Sequence, residues 1–148
     1  MRITYPDNTR EQFSYDRQGR LLSYSDAKGQ TTHYQYEIDD LPSQRTDALG
    51  HTLSYAYDNQ RRLICLTNEN GEHWTFNYDK GDNLISETRF DGTTAHYDYS
   101  KAGLLKHQLD TGIHHYYRYD LAGQLTDKYS LTDRRFLDKA YPPTNKPN

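Results

Sequence analysis

From residue 73 to residue 78 the chain reads His-Trp-Thr-Phe-Asn-Tyr, polar and ring-bearing side chains alternating at every step. A period of two places the three rings on one face of an extended strand. The stretch from Thr52 to Tyr57 behaves alike, with Thr52, Ser54 and Ala56 interleaved among Leu53, Tyr55 and Tyr57. No window sustains the i, i+3, i+4, i+7 apolar stripe of a helix, and glycine interrupts the chain every ten residues or so. Between the interruptions lie segments of about six to eight residues, a strand length. The pattern predicts an all-β chain of roughly ten antiparallel strands, paired as hairpins with one aromatic face.

The hairpins repeat. Tyr15, Tyr36, Tyr57, Tyr78, Tyr99 and Tyr119 are spaced by 21, 21, 21, 21 and 20 residues. Acids follow directly in Asp16, Glu37, Asp58, Asp79 and Asp120, with Ser100 in the remaining unit. Six residues after each tyrosine stand Leu21, Pro42, Leu63, Leu84, Leu105 and Leu125. Fourteen after it come Gly29, Gly50, Gly71 and Gly92, with Gly112 one step earlier in the short unit. Each unit closes on aromatic-x-Tyr, through Tyr34, Tyr55, Phe76, Tyr97 and Tyr117. Residues 1–14 make a half unit ending Phe13-x-Tyr15, with Asn8 at the glycine position; units then start at 15, 36, 57, 78, 99 and 119. A fixed period of this kind is the mark of a tandem-repeat architecture.

Two turn signals occur in each unit. The first is Tyr-Asp-x-x-Gly, complete as YDRQG at 15–19 and YDLAG at 119–123, nearly so as YSKAG at 99–103. Its Asp accepts from following amides, and Gly19, Gly103 and Gly123 supply the left-handed residue. The second is x-Gly, as in Asn70-Gly71 and Asp91-Gly92, read as a short hairpin turn. A single hairpin is marginal, so stability is expected from neighbouring units and from ladders of rings at the aromatic-x-Tyr positions. The fold class is therefore all-β: tandem 21-residue antiparallel β-hairpin repeats in one curved open sheet. A propeller with two units per blade would make odd and even units differ, and no such alternation is present. The repeat sheet is expected over 1–125, followed by a degenerate repeat and Pro-rich mobile tail over 126–148, ending AYPPTNKPN.

Composition adjusts this picture at one point. Leu, Ile and Phe total 24 of 148 residues and Val is absent, a level that ordinarily signals disorder. Fifteen tyrosines and a net charge of only -3 oppose that reading, so tyrosine serves as the principal hydrophobe. The small net charge does not indicate nucleic-acid steering. No run approaches the roughly 18 apolar residues of a membrane helix, and the start lacks a signal-peptide core. The one cysteine, Cys65, excludes an internal disulfide.

Candidate chemistry is sparse. His114 and His115 are strand neighbours and point to opposite faces, so they do not chelate one ion. His73 and His114 share one repeat position, His33 and His96 another, each pair separated by intervening units. The repeated acids Asp16, Asp58, Asp79 and Asp120 sit where a turn needs them. Cys65 takes the slot of Ser23 and Ser86, and no histidine is placed beside it by spacing. No catalytic, cofactor or metal residues are assigned, and the repeat positions are read as structural.

At these residues the chain resembles a known family. Tyr-Asp-x-x-Gly-x-Leu, then x-Gly, then Tyr-x-Tyr, plainest in YDNQRRLICLTNENGEHWTFNYDKGDNLISETRFDG at 57–92, looks like the YD repeat of Rhs proteins, relatives of ABC-toxin C components and teneurins. The resemblance implies hairpins laid side by side into a spiralling bacterial shell that encloses a toxic C-terminal polypeptide for delivery into another cell. It implies a non-catalytic wall segment, partnered by the remainder of the shell and its toxin, and cytoplasmic until exported. Five and a half units make only part of a cocoon, and the family's core motif before the toxin is absent, so a truncated segment is expected. Open sheet edges suggest self-association. The alternative is a carbohydrate- or cell-surface-binding repeat module, though the chain holds a single tryptophan, Trp74.

Overall fold

The computed structural model describes residues 1–37 and 39–132. Among these there is no helix. Thirteen strands follow one another: β1 (Arg2–Thr4), β2 (Arg10–Tyr15), β3 (Leu21–Ser25), β4 (Thr31–Gln35), β5 (Gln44–Thr46), β6 (Thr52–Tyr57), β7 (Leu63–Asn68), β8 (His73–Tyr78), β9 (Leu84–Thr88), β10 (Thr94–Tyr99), β11 (Leu105–Asp110), β12 (Ile113–Tyr119) and β13 (Leu125–Leu131). They form one open antiparallel sheet in chain order. Three strands more than the rough expectation are present: the half unit supplies a full hairpin, β1 and β2, and the last unit supplies β13. Residues 133–148, with most of the expected tail, lie outside the described residues.

The chain forms two compact units, Met1–Trp74 and Thr75–Asn148, the boundary falling inside β8. In the first unit Phe13 faces Tyr24, Tyr34 faces Arg45, and Tyr55 faces Leu66. In the second, Phe76 faces Glu87, Tyr97 faces Gln108, and Tyr117 faces Lys128. The rings of the aromatic-x-Tyr positions thus occupy the second strand of each hairpin only. Beyond the first hairpin their direct cross-strand partners are not rings, which corrects the expected ladder. Alternate strands put successive rings roughly 9–10 Å apart, two strand spacings.

Both turns of the unit are one structure. Asp16 opens the first, accepting from the amides of Gln18 and Arg20 at 2.9 Å each, while Gly19 takes φ +84° and donates to the Asp16 carbonyl. Asp26 opens the second in the same way, accepting from Lys28 and Gln30 at 2.9 Å, with Gly29 at φ +80°. Asp47 and Asn68 repeat it. The turn is thus opened three residues before the glycine, and Asn70-Gly71 is not the two-residue turn the dipeptide suggests. Among the described residues only Thr111-Gly112, both at positive φ, forms that two-residue turn, which explains the 20-residue unit. Where glycine is lacking in the first turn, Arg61 and Asp82 hold φ +66° and +64° themselves. Asn8 does the same at +64°, as its tolerance for that region predicts.

Five of the six leading tyrosines pair with the leucine six residues on: Tyr15 with Leu21, Tyr57 with Leu63, Tyr78 with Leu84, Tyr99 with Leu105, Tyr119 with Leu125; Tyr36, with Pro42 in that slot, does not. The register slips by one residue at every such pair, a β-bulge whose extra residue is Leu22, Ile64, Ile85, Lys106 or Thr126. Bulge and turn recur together in these five units, so one pattern of local chemistry sets their register, while β4 and β5 pair without a bulge.

Candidate functional surface

Single-layer sheets bury little. Among the described residues only Ala95, at 0%, and Glu87, at 8% exposure, are buried. Cohesion therefore rests on the backbone hydrogen bonds between strands, the turns, and a set of tyrosine hydroxyls. The Tyr36 hydroxyl donates to the Leu21 carbonyl at 3.0 Å, Tyr57 to Pro42 at 3.1 Å, Tyr99 to Leu84 at 2.9 Å and Tyr119 to Leu105 at 2.8 Å. Each bond runs from a leading tyrosine back to the carbonyl of the residue six after the leading tyrosine of the unit before, a bulge-pair leucine in three of the four and Pro42 in the other. Burial raises the Tyr36, Tyr57 and Tyr99 hydroxyls above their ordinary pKa, so they stay donors. The Arg20 guanidinium lies over the Tyr36 ring at 4.7 Å and donates to Asp16 Oδ2 at 2.6 Å, linking turn to ring.

The aromatic face carries one ionic cluster, in the second unit. Arg89 forks onto Asp110, with contacts of 2.7 and 2.8 Å, and reaches Glu87 Oε1 at 3.0 Å. The Tyr97 hydroxyl donates to the same Glu87 oxygen at 3.1 Å. The hydrogen bond from Arg89, with its charge, holds Asp110 below the usual carboxylate range; Asp110 in turn raises Arg89. Burial, then the Glu87 charge, pushes the Tyr97 hydroxyl up to about 12. All four side chains of this cluster are tied to one another, so it cements the face.

Arg89 and Asp110 are 21 residues apart and occupy the same repeat slot, the opener of the second turn, as Asp26, Asp47 and Asn68 do in other units. Arg89 has no side-chain oxygen for that turn. Asp91, two residues on, takes over by accepting from the Thr93 amide and hydroxyl at 2.9 and 2.7 Å. Reversed charge in a slot otherwise acidic or amidic was the sequence signal for this pair, and spacing by tyrosines passes over it.

The other face is polar, lined by contacts such as Ser14 with Ser23 at 2.6 Å and Asn77 with Ser86 at 3.1 Å. Here the structure brings together residues that spacing did not. His73 Nδ1 lies 3.1 Å from Thr67 Oγ1 and 3.6 Å from Cys65 Sγ, so the cysteine does have a histidine neighbour. In the second unit Asp98, His107, Tyr116 and Tyr129 form one cross-strand row, with His114 beside it. His107 Nδ1 is 2.9 Å from Asp98 Oδ2 and its Nε2 is 3.0 Å from His114 Nδ1. His115 lies on the opposite face, 2.7 Å from Ser130 Oγ. No group of three His, Cys, Asp or Glu suited to a metal occurs among the described residues. Nor is any helix there long and apolar enough to cross a membrane.

The acids Asp16, Asp58, Asp79 and Asp120 all stand in turns, accepting amide hydrogens from residues two and four further on. Gly50, Gly92, Gly103, Gly112 and Gly123 all take positive φ. Leu125 and Tyr15 are the most open of the singled-out apolar positions, at 55% and 47% exposure.

Against known proteins, the family model described as RHS Repeat matches residues 1–31 and 15–40. No curated protein sequence matches the chain. Among solved structures, the crystal structure of TcdB2-TccC3 without its hypervariable C-terminal region superposes with a TM-score of 0.66 at 16% identity, over 82% of this chain and 8% of that one. The pore structure of the Photorhabdus luminescens Tc holotoxin, bearing a TccC3 mutation, superposes at 0.53 with 17% identity, over 85% of this chain and 9% of that one. This chain therefore spans less than a tenth of the length of either, and the likeness is one of fold. The RHS Repeat model thus matches the first 40 residues, the units beyond them repeat the same turns and tyrosine positions, and the likeness to these solved structures is one of fold.

Proposed function

We propose that the chain is a wall segment of an RHS-type shell, non-catalytic in itself, that encloses a toxic polypeptide until delivery. The observation carrying this reading is the sheet's chemistry by face. One side presents the recurring rings and an ionic cluster, the other mainly serine, threonine, asparagine and histidine with the Tyr116 and Tyr129 rings at its end, and neither side is covered by a second layer among the described residues. A ring-bearing face without a covering layer suits contact with unfolded polypeptide, and the polar face suits water. Its partners are then the remaining repeats, joined edge to edge, and the enclosed chain.

The test is site-specific photo-cross-linking in the complete polypeptide that contains these repeats. A photoreactive residue at Tyr55 or Tyr97, on the ring face, is expected to capture the enclosed segment, and one at Thr67 or His96, on the polar face, is not. Equal capture from both faces, or none from the ring face, overturns the reading.

A further inference from the structure

We propose that His107 and His114 form a chelating pair for a divalent transition-metal ion, Cu(II) most tightly, on the polar face of the second unit. The site is independent of the ring face on which the shell reading rests. His107 on β11 stands opposite Asp98 of β10 and Tyr116 of β12; His114, two residues before Tyr116, shares their face. Sequence separation hides the pair, because it is diagonal across a hairpin and not in line along a strand.

Three features fit a metal. Asp98 Oδ2, 2.9 Å from His107 Nδ1, assigns the proton to that nitrogen and leaves the Nε2 lone pair facing His114. A carboxylate on the far nitrogen is the usual companion of a ligating imidazole. Second, His107 Nε2 and His114 Nδ1 are 3.0 Å apart, which subtends about 95° at a metal about 2.0–2.1 Å from each. That angle is the cis angle of tetragonal Cu(II) or Ni(II) and narrower than tetrahedral zinc prefers. Third, the Tyr116 ring stacks on His107 at 4.8 Å and on Tyr129 at 5.1 Å, backing the imidazole.

In the metal-free chain the His114 Nδ1 hydrogen is donated to His107 Nε2. The ion takes that place: both rings turn about their Cβ–Cγ bonds until the lone pairs converge, and the His114 proton moves through solvent to its Nε2. With Asp98 64% exposed, the remaining coordination positions open to water. Two protein ligands make an exchangeable site, and the fold does not depend on filling it.

The full chain carrying Cys65→Ser, which places there the residue Ser23 and Ser86 already supply, removes thiol chemistry with copper. Titration with CuCl2 is expected to give one strong site, an axial electron paramagnetic resonance spectrum with two coupled imidazole nitrogens, and weaker binding of NiCl2. His107→Gln and His114→Gln each weaken Cu(II) binding at least tenfold, and Asp98→Asn about tenfold. His115→Gln, on the opposite face of the strand, and His33→Gln, seven strands away in sheet order, leave it within twofold. Circular dichroism checks that each variant folds; should His107→Gln not fold, His114→Gln and exposed Asp98→Asn decide. Affinity unchanged in His114→Gln, a one-nitrogen spectrum, or an equal loss in His115→Gln overturns the proposal.

Discussion

The Tyr99 hydroxyl meets the Leu84 carbonyl at 2.9 Å, fifteen residues back along the chain and one repeat unit earlier. Tyr36 with Leu21 and Tyr119 with Leu105 restate the relationship in other units. A phenylalanine would fill the same space without the donor, which explains why a tyrosine leads the repeat.

Tyr99→Phe is therefore expected to destabilise the chain by about 1–3 kcal/mol, since the Leu84 carbonyl is left without that partner. Among the described residues the Tyr15 hydroxyl has no comparable acceptor and the side chain is 47% exposed, so Tyr15→Phe should change little. Urea midpoints of the two variants make the comparison. Equal midpoints would remove the hydroxyl from the account of cohesion.

Replacing Arg89 with Met strips Asp110 and Glu87 of their shared cation in a site only about a quarter exposed. The expected loss is roughly 1–3 kcal/mol, less than for a fully buried pair. Because Asp110 is lowered in the folded chain, its contribution is complete above the ordinary carboxylate value of 3.8 and disappears as pH falls through the lower folded value. Acid titration of stability should therefore become shallower in Arg89→Met.

At the alkaline end the sign reverses. Tyr97 has an ordinary value of 10.0, pushed up to about 12 in the folded chain, so folding favours its protonated form. Its contribution is complete below pH 10 and is lost as pH rises toward 12. Tyr97→Phe should flatten that decline in a plot of the urea midpoint against pH. An identical decline would mean that other hydroxyls carry it.

Left-handed turn positions give opposite expectations for opposite substitutions. Arg61→Gly and Asp82→Gly relieve a side chain held at positive φ and should stabilise by about 0.5–1 kcal/mol. Gly71→Val does the reverse, costing about 1–3 kcal/mol. A Cβ at Gly71 meets nothing within 4 Å, so the loss is one of backbone conformation alone. Differential scanning calorimetry reads both signs, and an unchanged transition in Gly71→Val would show the turn tolerates a branched residue.

Among the described residues the sheet ends in two strands, β1 and β13, whose outer amides and carbonyls have no neighbour in the strand order. Edge pairing between copies is the expected consequence at high concentration. Static light scattering should show mass rising above 17.4 kDa as protein approaches millimolar concentration. A constant monomer mass would mean the edges are protected.

Much of this architecture was legible because it is local. An acid that caps the amides two and four residues later, and a glycine that tolerates positive φ, act within five residues, so spacing alone located the first turn. The second was harder: Asn70-Gly71 carries a strong two-residue signal, yet Asn68 captures the Asn70 and Glu72 amides and opens a longer turn. Among the described residues only Thr111-Gly112 is that short, and the missing residue at that point was visible as the shorter unit.

What the amino-acid order determined by itself is the period, the strands and the alternation of faces, because all three follow from backbone geometry over a few residues. What tertiary structure alone decided is which side chains meet across strands. A bulge at five of the six leading tyrosines shifts the register by one residue, so counting along the chain cannot say that Tyr99 reaches Leu84, that Arg89 forks onto Asp110, or that His107 meets His114.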